Sequence, residues 1–186
     1  MCYVLRHNPQ SFGLTLDKNG YADVGELIEK FNSRGEEIDK KILTEIVLSD
    51  KKSRFSLNDE KNKIRANYGH SFAVDLGLKQ LCPPSVLYHG TTERNAGSIS
   101  ESGLHKAKRN YVHLTEDIFA AINVGQRRGN PVVFKVDSEK MFKDGYVFYK
   151  SGGSVDGMDI NEPNRGAVWL TDNVPKEYLS LYASQE

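Results

Sequence analysis

Nowhere in its 186 residues does the chain carry an apolar run approaching the roughly 20 residues that a membrane-spanning helix needs. The N-terminus also lacks the charged, then apolar, then small-residue order of a secretory signal, so a cytoplasmic location is expected. Cysteine is scarce. Cys2 and Cys82 are the only two, without metal-ligand spacing, which argues against a zinc ribbon or a disulfide framework and for a reducing compartment. Charge surplus of either sign is missing as well, because 25 Lys plus Arg balance 25 Asp plus Glu. A non-specific nucleic-acid binder usually carries a broad basic excess. Any polyanion site here must therefore be local and built from few residues.

Several chemistries are excluded by missing motifs. No Walker-type loop or Rossmann glycine fingerprint occurs, so a bound dinucleotide needs some other architecture. Neither cysteine nor any serine stands in a recognisable nucleophile setting, which argues against a serine or cysteine hydrolase. The five histidines, His7, His70, His89, His105 and His113, lack close metal-ligand spacing, and no metal is expected. No repeat or low-complexity tract is visible. What is present is an ordinary globular composition, long enough for one large or two small domains with a core that needs no covalent staples.

The best boundary is Leu81-Cys82-Pro83-Pro84-Ser85, because successive prolines continue neither a helix nor a central strand. Before it, Asp23 is positioned to cap a helix with Val24, Leu27, Ile28 and Phe31 on one face. Asp39 is positioned to cap another, with Ile42, Leu43, Ile46 and Val47 as its buried stripe. Residues 54–57 and 63–67 read as a two-stranded hairpin around the polar turn 58–62. After the boundary, residues 86–88 read as a strand and residues 96–102 as a helix that Gly103 ends. Further strands are expected at 112–114, 131–136, 147–149 and 168–170, with Thr115 capping a helix over 117–124. The expected class is α+β, divided into 1–80 and 86–186.

Four groups could carry chemistry. Arg6-His7 precedes Pro9, which would end a helix there; an arginine fork and a protonated imidazole suit a phosphate, although an ordinary charged helix end explains them too. Lys63, Arg65 and Asn67 alternate, so on a strand they share one face, as either an anion-binding row or a solvated edge that resists aggregation. His89-Gly90-Thr91 follows the first strand of the second half, and offers a ring, approachable backbone and a hydroxyl, or a plain turn. Arg127 and Arg128 lie in a glycine-bounded loop that either holds a phosphate or merely faces solvent near a helix C-terminus.

At these groups the chain resembles the RNA 2′-phosphotransferase family. The matching stretches, in order, are YVLRHNP, GLTLD, IRANYGHS, VDLGL, LYHGT, VHLT, VGQRRGNPVV and VWLT, spread over nearly the whole sequence. The resemblance implies a winged-helix-like N-terminal lobe followed by an ADP-ribosyltransferase-like C-terminal lobe. It also implies NAD as a co-substrate, without metal, and 2′-phosphorylated RNA of the tRNA splice-junction type. In the implied reaction the RNA 2′-phosphate displaces nicotinamide, and the ribose 2″-hydroxyl then attacks the phosphodiester. The products are 2′-hydroxyl RNA and ADP-ribose 1″,2″-cyclic phosphate.

By motif position, the family's Arg-His-Arg-Arg set falls on Arg6, His7, Arg65 and Arg127, with Arg128 as the neighbour from which Arg127 must be distinguished. Arg6, His7 and Arg65 are expected to hold the 2′-phosphate, with Lys63 as a further substrate contact, and Arg127 to serve the second step. His89, Gly90, Thr91 and His113 are expected on the NAD ribose and amide, with Ser98 and Gly103 bordering the adenosine. The set spans both halves, so the site is expected in a cleft between them, in a monomer that needs no membrane. Tyr68 departs from the family's usual glutamine, and the glycine-rich stretch 151–165 receives no role. The alternatives are an NAD-dependent ADP-ribosyltransferase acting on a nucleic-acid terminal phosphate or a protein, and a non-catalytic RNA-binding module.

Overall fold

The computed structural model describes residues 1–151 and 168–182. All but the first residue of the glycine-rich stretch 151–165 thus lies outside the described residues. Helix α1 (Cys2–His7) opens the chain and ends at Asn8, whose φ of −154° leaves helical geometry. The residue before a proline is pushed towards extended backbone, and Pro9 enforces that exit. Asp17 then organises a turn, its Oδ1 accepting from the N–H groups of Asn19 and Tyr21, both at 3.0 Å. The turn leads into β1 (Tyr21–Asp23). Helix α2 (Val24–Asn32) is capped by Asp23, which accepts from Glu26 N at 2.9 Å. Helix α3 (Lys40–Ser49) is capped by Asp39, which accepts from Ile42 N at 2.7 Å. Both caps satisfy a backbone donor that has no partner inside its helix.

Strands β2 (Phe55–Leu57) and β3 (Lys63–Ala66) follow, joined by the polar turn foreseen in the sequence. They pair antiparallel as the expected hairpin, to which the fold adds a third strand. Strand β1 pairs with the other side of β3, giving a three-stranded antiparallel sheet in the order β1-β3-β2. Arg65 therefore stands on a central strand, opposite Tyr21 on one side and Ser56 on the other. A solvated-edge explanation for its charge does not apply. Leu5, Ala22, Leu27, Leu43 and Ile64 form the centre of this unit's core. The α3 stripe is narrower than expected, because Leu43 and Val47 are buried while Ile42 and Ile46 are exposed.

Met1–Leu78 form one compact unit, and Lys79–Lys150 with the residues from Val168 onward belong to another. The second is built from β4 (Val86–Thr92), α4 (Glu93–Ser102), β5 (Leu104–His105), β6 (Val112–Leu114) and α5 (Ile118–Gln126). After these come β7 (Pro131–Asp137), α6 (Ser138–Lys143), β8 (Tyr149–Ser151), β9 (Val168–Thr171), β10 (Asn173–Val174) and β11 (Leu179–Leu181). Among the described residues its strands form three small sheets, β11-β7-β4, β6-β9-β8 and β10-β5. The whole is a mixed α/β protein with small antiparallel sheets. None of the described helices is long and apolar enough to cross a membrane.

Three local expectations are corrected here. Strand β4 runs on through His89-Gly90-Thr91, so these residues lie within a strand paired to β7 and do not form a turn. Asp117, not Thr115, caps α5, accepting from Phe119 N at 2.8 Å, while Thr115 Oγ1 accepts from Asp117 N at 3.1 Å. The carboxylate is the stronger acceptor and sits two residues nearer the helix, at the N-cap itself. The strand expected at 147–149 begins only at Tyr149.

Glycine lets α5 lie directly on β4. A Cβ placed on Gly90 would come within 1.8 Å of the Ala121 carbonyl oxygen, and one on Gly125 within 2.3 Å of the Thr91 oxygen. Neither overlap can be relieved by a side-chain rotation, because the obstructing atoms are backbone. Gly90→Ala should therefore lower unfolding free energy by about 3 kcal/mol, the upper end for overpacking, measured by urea denaturation. Unchanged stability would contradict this packing.

Candidate active site

The end of α1 is held by the segment that follows β3. Ser71 N donates to the Arg6 carbonyl at 3.0 Å, and Ser71 Oγ lies 3.1 Å from His7 Nδ1. Gly69 has a φ of +86°, in the left-handed region, and its bare Cα faces Arg6: a Cβ there would lie 3.6 Å from Arg6 Nε and Cζ. Residues from opposite ends of this unit thus converge, a non-local contact that sequence spacing does not disclose.

Two guanidinium groups are set on aromatic rings. Arg6 Cζ lies 4.6 Å from the Tyr68 ring centroid, and Arg65 Cζ 4.7 Å from that of Tyr21. The ring faces attract the cations without accepting their in-plane hydrogen bonds. Arg6 Nε and Nη2 and Arg65 Nε are shut off from solvent and have no hydrogen-bond partner among the described residues. A guanidinium does not deprotonate in a protein. A buried charge with unfilled donors is costly, and the planar fork matches the oxygens of a phosphate. Tyr68, expected near Arg65, thus contacts Arg6.

His70 is the neighbour that spacing did not single out, although it stands in the IRANYGHS stretch. It is 1% exposed, and its Nε2 has no partner among the described residues. Burial first, then the charges of Arg6, His7 and Arg65, lowers its pKa from 6.5 to about 4. It is therefore a neutral imidazole at physiological pH, within electrostatic reach of all three cationic groups.

The alternating row on β3 divides. Lys63 Nζ is held by Asp17 Oδ2 at 3.2 Å. Burial pushes the Asp17 pKa up, but hydrogen bonds from Tyr21, Lys63 and Asn19 outweigh it and leave the value lowered. Asn67 is buried, donating to the Ser53 carbonyl at 2.8 Å and accepting from Ser56 Oγ at 2.7 Å. Of the three, Arg65 alone has an unfilled buried donor among the described residues.

The remaining candidates belong to the second unit. Arg127 is the C-terminal capping residue of α5, and both it and Arg128 are exposed. His89 Nδ1 lies 3.0 Å from the His113 carbonyl, and His113 Nδ1 lies 3.0 Å from that of Tyr111. Since a carbonyl only accepts, each ring carries a proton on Nδ1. Burial lowers the His89 pKa, against the raising effect of the His113 carbonyl, and Arg109 lowers it further. Its neutral form leaves Nε2 as a hydrogen-bond acceptor. Thr91 is buried and accepts weakly from Asn95 at 3.4 Å. Ser98 is exposed on α4. Gly103 ends that helix with a φ of +85°, and a Cβ there would lie 2.4 Å from the Val174 oxygen. Gly90 and Gly103 are accordingly required by the chain's own packing.

Comparison with known proteins adds to this geometry. The profile of the RNA 2′-phosphotransferase, Tpt1/KptA family matches residues 1–155. A "Probable RNA 2′-phosphotransferase" of Flavobacterium johnsoniae is 44% identical over 178 residues, covering 96% of this chain and 91% of the relative. One from Fusobacterium nucleatum is 44% identical over 179 residues, covering 96% and 93%. One from Agrobacterium fabrum is 43% identical over 183 residues, covering 98% and 91%.

The buried imidazole gives a prediction about stability. His70 has a pKa of about 4 in the fold against 6.5 ordinarily, so the unfolded chain binds more protons between those values. The stability held above pH 6.5 should fall by up to about 3 kcal/mol as pH drops towards 4. Urea midpoints measured across this window should show a shallower loss in His70→Gln than in the wild type. Equal slopes would contradict the assignment.

Proposed function

Because the chain belongs to the RNA 2′-phosphotransferase, Tpt1/KptA family, we propose that it removes the 2′-phosphate of RNA by transferring it to NAD. The products are 2′-hydroxyl RNA, nicotinamide and ADP-ribose 1″,2″-cyclic phosphate, and the RNA is of the tRNA splice-junction type. The observation that carries this reading is the pair of buried guanidinium edges of Arg6 and Arg65, whose donors lack partners among the described residues.

Arg6, His7 and Arg65 bind the 2′-phosphate and fix its orientation, so that attack no longer depends on a chance collision. His7, hydrogen-bonded to Ser71 and exposed, adds a donor when protonated. NAD, when bound, supplies an electrophilic anomeric carbon and a nicotinamide leaving group that departs with the bonding electron pair. In the second step the ribose 2″-hydroxyl loses its proton and attacks phosphorus. The bond from phosphorus to the RNA 2′-oxygen breaks, and that oxygen takes up a proton. Arg127 stabilises the negative charge that builds on the phosphoryl oxygens during this exchange.

His89 Nε2 and the Thr91 hydroxyl suit the hydroxyl and amide groups of NAD, and His113 orients the His89 ring through its carbonyl. The two capped helices, set between β1 and the β2–β3 pair of one sheet, support a winged-helix-like lobe over residues 1–80, with an ADP-ribosyltransferase-like lobe over 86–186. We assign the phosphate clamp to the first lobe and NAD binding to the second. Lys63, paired with Asp17 and half exposed, keeps further donors for RNA, and Ser98 and Gly103 border the adenosine of NAD.

Incubating the protein with NAD and a 2′-phosphorylated oligonucleotide should yield all three products. An unchanged oligonucleotide would overturn the function, and a stable ADP-ribosylated product without cyclic phosphate would overturn the second step. Arg65→Ala should reduce single-turnover NAD consumption on the order of 10²- to 10³-fold. Arg127→Ala should instead accumulate RNA whose 2′-phosphate remains linked to ADP-ribose. A block at the same step in both variants would contradict this division of roles.

A further inference from the structure

The GLTLD stretch has no role in the chemistry above, yet it lines a groove in the first unit. The groove has a volume of about 490 Å³ and is walled by Pro9, Leu14, Leu16 and Phe72, with Lys18 and Ala73 among its lining residues. That volume falls within the range of small-molecule sites, which are typically about 300–1,000 Å³ and mainly apolar with a few polar groups. Leu14 is buried, whereas Lys18 and Ala73 are exposed.

Three covalent or hydrogen-bonded links join its walls to the phosphate clamp. Pro9 is two residues beyond His7. Phe72 directly follows Ser71, which meets His7 at 3.1 Å, and the Phe72 ring packs edge-on against His70 with centroids 5.6 Å apart. Asp17, also in the lining, binds Lys63 at 3.2 Å and the backbone of Tyr21 at 3.0 Å, and the Tyr21 ring carries the Arg65 guanidinium. The groove and the clamp are therefore neighbouring parts of one surface.

We propose that this groove receives the nucleoside adjacent to the 2′-phosphorylated nucleotide of the RNA. The assignment rests on the function proposed above. The half-buried Phe72 ring offers a face on which a base of any identity can stack, and stacking of this kind is tolerant of sequence. Lys18 supplies the positive charge suited to the phosphodiester of that neighbour. The clamp recognises the modification, and the groove recognises that the modification lies within a strand. GLTLD is thus part of the RNA-binding surface as well as the approach to β1.

The test measures Kd without NAD, by competition against a fluorescent 2′-phosphorylated oligonucleotide. Two competitors are used, a 2′-phosphorylated trinucleotide and a 2′-phosphorylated mononucleotide. The wild type should bind the trinucleotide at least tenfold more tightly. Ala73→Trp, which fills the groove from its exposed rim, should remove most of this advantage, weakening the mononucleotide no more than twofold. Lys18→Glu should weaken the trinucleotide selectively, and more at low salt than at high. The assignment is overturned if both variants keep the full advantage, or if either weakens the two competitors alike. Turnover is scored separately: intact binding with no reaction on adding NAD counts against the proposed function and leaves the groove assignment standing.

Discussion

Arginine cannot shed its charge, and that constraint governs the first unit. Arg6 and Arg65 carry buried donor atoms for which the described residues provide aromatic faces but no acceptor. A cation in this state opposes folding, because removal from water is unfavourable and no described carboxylate accepts from these atoms. Around the pair, other groups are arranged so as not to cancel it. Asp17 is engaged by Lys63 and by two backbone amides, and His70 remains neutral at physiological pH. On the proposed function the local positive charge is left for the RNA phosphate, whose binding should stabilise the fold as well as occupy the site.

The scaffold explains how a chain of zero net charge can hold such a site. Helix α1 ends early because of Pro9, and Ser71 fastens that end from 65 positions along the chain. Central placement of β3 fixes Arg65 from both sides. In the second unit the corresponding rigidity comes from backbone contact: α5 lies against β4 at Gly90 and Gly125. The same strand carries His89, whose ring is fixed by the His113 carbonyl. Arg65 and His89 are thus each placed by a strand that its paired neighbours hold.

Much of this was legible in the sequence where the cause is local. The Asp23 and Asp39 caps, the end of α4 at Gly103 and the long strand β7 follow from nearest-neighbour chemistry. Strand β1 was missed because three residues ending in a capping aspartate carry no periodic signal. It became a strand only through pairing with β3. The packing of α5 on Gly90 was hidden for a similar reason, since nothing in His-Gly-Thr shows which helix will cross it. Convergence of residues 6–7 with 69–71 is equally non-local. The resemblance brought these segments onto one list, but the orphaned donors and the neutral His70 are visible only once the chain is folded.

The central claim is that the buried edges of Arg6 and Arg65 form a site for the phosphate that distinguishes modified from ordinary RNA. Calorimetric titration of the protein with one oligonucleotide in two forms, bearing either a single 2′-phosphate or a 2′-hydroxyl at that position, tests it most directly. The phosphorylated form should bind at least 100-fold more tightly in the absence of NAD. Equal affinity for the two would contradict the claim.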